Sequence, residues 1–86
     1  MFVILTYDLD AARTKKALKI CRKYLSHVQK SVFEGTISPG ALERLKSELK
    51  KVVVPAKDSV RIYKFESLKY SSKDVIGVNR DNGSVL

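Results

Sequence analysis

The run Val3-Ile4-Leu5-Thr6-Tyr7-Asp8 constrains this chain more than any other stretch, because an apolar strand near its start delivers a carboxylate at the far end. Side chains alternate along a strand, so Phe2, Ile4, Thr6 and Asp8 line one face while Val3, Leu5 and Tyr7 line the other. Both faces are largely apolar, the pattern of a strand covered on both sides. In a chain of 86 residues one set of helices is expected to cover a single face, which leaves the other for a second copy of the chain. The expectation is one domain over residues 1–78 with a tail over 79–86, assembled as a homodimer.

Asp10 is placed to cap a helix beginning at Ala11. Ala17, Leu18, Ile20, Cys21, Tyr24 and Leu25 then recur at helical spacing and occupy an arc of roughly 160°. Lys15, Lys16, Lys19, Arg22 and Lys23 gather on the opposite side of the wheel. Val28 to Ile37 is rich in strand formers and reads either as one bent strand or as a hairpin turning near Ser31-Val32, with Gly35 as a candidate bulge. Ser38-Pro39 signals a second helix start, followed by Leu42, Leu45, Leu49 and Val52 until Pro55 bars continuation. Ser59 to Phe65 reads as a strand with Val60 and Ile62 on one face, and Val75 to Val78 as a short late strand suited to joining a partner's sheet edge. The simplest architecture for this order is an α+β sandwich of ferredoxin-like βαββαβ topology, one antiparallel sheet backed by two helices.

Charge narrows the partners. Seventeen Lys and Arg against nine Asp and Glu leave a formal charge of +8, a surface that attracts polyanions. From Ala11 to Lys30 there are seven basic residues and no acidic one, whereas an ordinary solvated helix intersperses both signs. Nucleic acid fits this face better than a membrane, since no segment joins a broad apolar face to aromatic anchors and no apolar run is long enough to span a bilayer. The opening apolar run has no basic residues before it, which argues against a secretory signal and for a cytoplasmic protein. The lone Cys21 has no partner for a disulfide and no zinc-ligand spacing, and is expected as a buried thiol.

Groups that carry chemistry are scarce. There is no Gly-rich phosphate loop, no Cys/His cluster and no recognisable Ser/His/Asp set. What remains is Asp8, with Asp10 two residues on, a spacing at which a hard divalent cation can meet both carboxylates on an extended segment. Arg13, in the helix's first turn, either holds a phosphate, orients Asp8, or forms a salt bridge. His27, after the helix, is more often a cap or a surface group than a catalyst.

The strand ending Tyr7-Asp8, the basic helix containing Arg13, the run Val28-Gln29-Lys30-Ser31-Val32-Phe33-Glu34-Gly35 and the later Asp58-Ser59-Val60-Arg61-Ile62-Tyr63 together resemble the CRISPR-associated Cas2 family. These pieces lie in family order from Met1 to about Phe65. The resemblance implies a ferredoxin-like homodimer whose last strand packs on the partner's sheet. It also implies a part in acquiring new spacers beside an integrase partner, and metal-dependent endonuclease activity on single-stranded RNA or on DNA. Asp8 would bind magnesium, or manganese, across the dimer interface, and Arg13, Ser31 and Phe33 match positions that look important for cleavage. Arg13, Lys15, Lys16, Lys19, Arg22, Lys23 and Lys30 would contact nucleic acid. The sequence departs from the family at His27, where Arg or Lys is common, and at Ala11-Ala12, where polar residues are commoner.

Overall fold

The structure is a computed structural model that describes residues 1–66. Its elements run β1 (Phe2–Asp8), α1 (Ala11–Tyr24), β2 (Ser26–Gln29), β3 (Val32–Thr36), α2 (Pro39–Lys50) and β4 (Ser59–Phe65). They form the ferredoxin-like α+β sandwich, with sheet order β2-β3-β1-β4 and every neighbouring pair antiparallel. β1 and β2 therefore run parallel with β3 between them, and β3 and β4 run parallel with β1 between them. Each parallel pair needs a crossover, which α1 and α2 supply. Right-handed crossovers in two oppositely directed, interleaved units put both helices on the same side of the sheet.

That side holds the core. Val3, Leu5 and Phe33 are fully buried with Ala17, Cys21 and Leu45, and Leu42 and Leu49 of α2 close the layer. The register sets Val3 opposite Gly35 and Leu5 opposite both Phe33 and Ile62, so three strands contribute to one apolar face. On the other face Ile4 and Thr6 are half-buried and Asp8 is exposed, so the helices cover one side of β1, as expected for so short a chain.

The caps follow the sequence. Asp10 accepts the Ala12 N–H at 3.1 Å, and Ser38 Oγ accepts the Ala41 N–H at 3.1 Å with Pro39 opening α2. The Val28–Ile37 run is a hairpin turning at Lys30-Ser31. Its irregularity falls between His27 and Gln29, not at Gly35, which sits in regular register opposite Val3. Gly35 sits in a close approach: a Cβ there would lie 3.3 Å from Leu25 Cδ2, so the Leu25 side chain would have to shift by a few tenths of an ångström where the end of α1 packs down on β3. The late strand expected at Val75–Val78 and the tail lie outside the described residues.

Cys21 is buried in the core, and loss of hydration pushes its thiol up to about 12. In the folded protein it is expected to resist iodoacetamide at pH 8 and to react stoichiometrically once denaturant is added. Rapid alkylation of the native state would contradict the packing of α1 on the sheet.

Candidate functional site

Asp8 ends β1 on the face away from the helices, directly opposite Ser59 of β4. Thr6, two residues back on the same face, is opposite Arg61. Together with Tyr7 these residues line a small polar cavity of about 190 Å³. Its walls bring one carboxylate, two hydroxyls and one guanidinium to the same strand ends, an oxygen-rich setting of the kind that suits a hard cation or a phosphate.

Asp10 does not join Asp8 there. The strand ends at Asp8, and the Asp10 side chain turns to α1, one oxygen capping Ala12 and the other 3.9 Å from Arg13 Nη2. Among the described residues no group of three or more His, Cys, Asp or Glu converges on a metal-sized space. Among the described residues Asp8 is the one carboxylate that lines this cavity.

Arg13 is engaged with Asp58, not Asp8. Its Nε and Nη2 donate to the two oxygens of Asp58 at 2.6 and 2.9 Å, a forked pair. The Asp58 side chain is fully buried and also accepts the backbone N–H groups of Asp10 at 3.0 Å and Val54 at 2.9 Å. The Arg13 guanidinium, helped by those two amides, holds the Asp58 carboxyl well below the usual carboxylate range, and Asp58 in turn raises Arg13. Of the readings open for Arg13 the structure displays the salt bridge. Asp58 joins the β1–α1 turn, the first turn of α1 and the α2–β4 connection, and so fixes the backbone that follows Asp8. Reading the sequence did not single Asp58 out for this; the available signal was an acidic residue just before a strand, in a chain with a lone Arg in the first turn of α1.

Ser31 lies in the hairpin turn, and its carbonyl accepts the Tyr7 N–H at 3.1 Å, steadying β1 one residue before Asp8 from the side opposite Ser59. Phe33 is elsewhere. It is fully buried on the helix side, with the His27 ring stacked on it at 4.5 Å and the Tyr7 ring at 5.7 Å, so it does not line the Asp8 cavity. His27 Nε2–H donates to the Lys30 carbonyl at 3.0 Å and closes the turn.

On α1, Lys15, Lys16, Lys19 and Arg22 are exposed, as is Lys30 beyond it, and none takes part in the ion pairs found among the described residues. Lys23 differs. Its ammonium donates to Oε1 of Glu48 on α2, while the Tyr24 hydroxyl donates to Oε2 of the same carboxylate. Lys23, and then Tyr24, lower Glu48, and Glu48 raises both of them. The basic face is therefore unequal along its length. The Lys16→Ala/Lys19→Ala double variant is expected to weaken duplex DNA binding and lower the slope of log K against log salt by about 0.9 for each phosphate no longer neutralised. Lys23→Ala should change both much less, because its charge is already matched. Equal slopes for all variants in a salt titration by fluorescence anisotropy would refute this division.

The chain as a whole is similar to known proteins. The family model described as CRISPR associated protein Cas2 matches residues 1–73. A protein of Thermotoga maritima named CRISPR-associated endoribonuclease Cas2 is 45% identical over 80 residues, spanning 93% of this chain and 92% of its own length. A Pyrococcus furiosus protein of the same name is 36% identical over 81 residues, spanning 94% and 93%. Among solved structures, one titled as a crystal structure of cas2 superposes with a TM-score of 0.78 at 35% identity, over 100% of this chain and 97% of that one. Streptococcus pyogenes Cas2 superposes at 0.73 with 27% identity, over 87% and 99%.

Proposed function

Because the chain belongs to the CRISPR-associated Cas2 family, we propose that it is a nucleic-acid-binding homodimer of spacer acquisition that cleaves phosphodiesters in single-stranded RNA or in DNA with magnesium or manganese. The observation that carries the reading is Asp8: an exposed carboxylate at a strand end, facing a polar cavity, with no ion-pair partner among the described residues. Magnesium is commonly held by one or two carboxylates, waters and the substrate's own phosphate, so the oxygen donors at this cavity fit it. When bound, the ion supplies polarisation of a phosphate oxygen and a more acidic water. Asp8 anchors it, with the Asp8 of a second copy as the other carboxylate. Ser59 and Thr6 offer hydroxyls to the bound phosphate or its water shell, and the lysines of α1 hold the polynucleotide backbone away from the cavity.

Two features support dimerisation. The sheet face bearing Ile4 and Tyr63 lacks a covering layer among the described residues, and Tyr63 is 47% exposed. Among the described residues β4 is also an edge strand, flanked by an apolar groove of about 610 Å³ lined by Leu49, Val53, Pro55, Val60 and Ile62. The apolar run at 75–78 of a partner is the proposed occupant of that edge. A second reading, a non-cleaving scaffold that grips a DNA duplex between copies of the integrase partner, is favoured by the one carboxylate that lines the cavity among the described residues, set against abundant basic surface.

Cleavage of labelled single-stranded RNA and duplex DNA by the purified protein, with magnesium, manganese or EDTA, decides between them. Metal-dependent cutting is the expected result. A protein that shifts the duplex on a gel yet cuts neither substrate would leave the scaffold reading in place.

A further inference from the structure

The cavity beside Asp8 contains a cation that the family resemblance did not single out. Thr6 is paired with Arg61 and Asp8 with Ser59, so Asp8 and Arg61 are diagonal neighbours on the sheet face away from the helices. Diagonal positions across an antiparallel pair stand roughly 7–8 Å apart, within reach of a long side chain. Both residues line the polar cavity, and both are exposed. They do not form an ion pair with each other, and none of the ion pairs among the described residues includes Arg61. Arg13, the arginine expected near this site, is held by the buried Asp58.

We propose that Arg61 is a substrate-binding residue of the Asp8 site, its guanidinium holding a phosphate of the polynucleotide brought to that carboxylate. The inference deepens the function proposed above and rests on it for the identity of the ligand. A carboxylate and a guanidinium without an ion-pair partner among the described residues, set apart across a hydroxyl-lined space, present complementary halves of a phosphate site. The carboxylate would hold the cation, and the guanidinium takes non-bridging phosphate oxygens through its planar fork. A compact ammonium has no such fork, so Arg61→Lys keeps the charge but loses the two-point grip. Strand geometry, not a flexible loop, sets the spacing: β1 and β4 are paired along seven consecutive positions from Phe2 to Asp8.

The test compares wild type, Arg61→Ala, Arg61→Lys and Asp8→Ala, measuring affinity for a labelled single-stranded RNA by anisotropy in EDTA across a salt series. Manganese binding by paramagnetic resonance, melting temperature, sedimentation and cleavage rate are measured alongside. Arg61→Ala is expected to weaken RNA binding about tenfold. It should also lower the salt slope by about 0.7, the value for one phosphate of a single strand. Manganese binding, melting temperature and sedimentation should stay at wild-type values, and Arg61→Lys should restore the slope but only part of the affinity. Unchanged RNA affinity in Arg61→Ala overturns the proposal. So does a loss accompanied by a changed sedimentation coefficient or a lowered melting temperature, which would make Arg61 an interface or structural residue. If wild type binds RNA without cutting it, the endonuclease reading falls while Arg61 is still judged by affinity. If wild type does not bind RNA, both fall.

Discussion

Asp8→Ala is expected to remove metal-dependent cleavage, by about a hundredfold or more, while affinity for duplex DNA stays within about twofold of wild type. The separation follows from where the residues stand. Asp8 is at a strand end on one face of the sheet, and the exposed lysines are on α1, which packs against the other face. Removing one negative charge from a chain of net charge +8 does not reduce its attraction for a polyanion. Nor should it unfold the protein, since Asp8 is exposed and is paired with Ser59 through the backbone ladder, which alanine keeps. The decisive comparison is the cleavage rate of labelled single-stranded RNA with manganese, set beside manganese binding and duplex affinity for the same preparations. Asp8→Asn should fail as Asp8→Ala does, because the neutral amide is a poor ligand for a hard cation. If Asp8→Ala lost duplex binding to the same extent as the Lys16/Lys19 double variant, binding and chemistry would share one surface and the assignment would be wrong.

The second large effect is expected in stability, at Asp58. Asp58→Ala leaves the Arg13 guanidinium and the N–H groups of Asp10 and Val54 without their acceptor, at a point joining three segments. A loss of roughly 10 °C or more in melting temperature is expected for a domain of this size. Asp58→Asn retains one good acceptor and should lose less. Arg13→Lys should not match wild type, because a single ammonium cannot reproduce the forked pair.

The same group gives a pH signature. Its folded pKa is depressed, so its stabilisation is complete above the unfolded carboxylate value near about 3.9 and is lost as pH falls toward the folded value. The difference in melting temperature between wild type and Asp58→Asn should therefore be constant from neutral pH to about 4 and shrink below it. A difference that grew on acidification, or an Asp58→Ala protein melting within about two degrees of wild type, would show that the clamp contributes little.

Local chemistry made most of the fold legible. Caps at Asp10 and Ser38, the proline opening α2, the 3.6-residue recurrence of Ala17, Cys21 and Tyr24 and the alternation in β1 and β4 all act within a few residues, so composition and spacing were enough to place these elements. Asp8 was legible for the same reason: a carboxylate ending an apolar strand is conspicuous without knowledge of its neighbours. Phe33 was harder to read, because alternation assigns a side chain to a face but does not say whether that face is core or cavity. The pairing of Leu5 with Phe33 put it beneath the helices.

The sequence by itself determined both helices, the strands β1 and β4, the basic character of α1 and the carboxylate at the end of β1, while the Val28–Ile37 run stayed open between one bent strand and a hairpin. Only the tertiary structure decided which charges remain available. Arg13 and Asp58 are 45 residues apart in the chain, and Lys23 and Glu48 are 25 apart; both pairs exist because packing brings them together. Arg61 meets Asp8's cavity through strand register, a quantity that a shift of one residue would invert and that no local pattern specifies. Partnering is a long-range property, fixed when the sheet closes, and it decides which of several similar cations are already matched by a carboxylate.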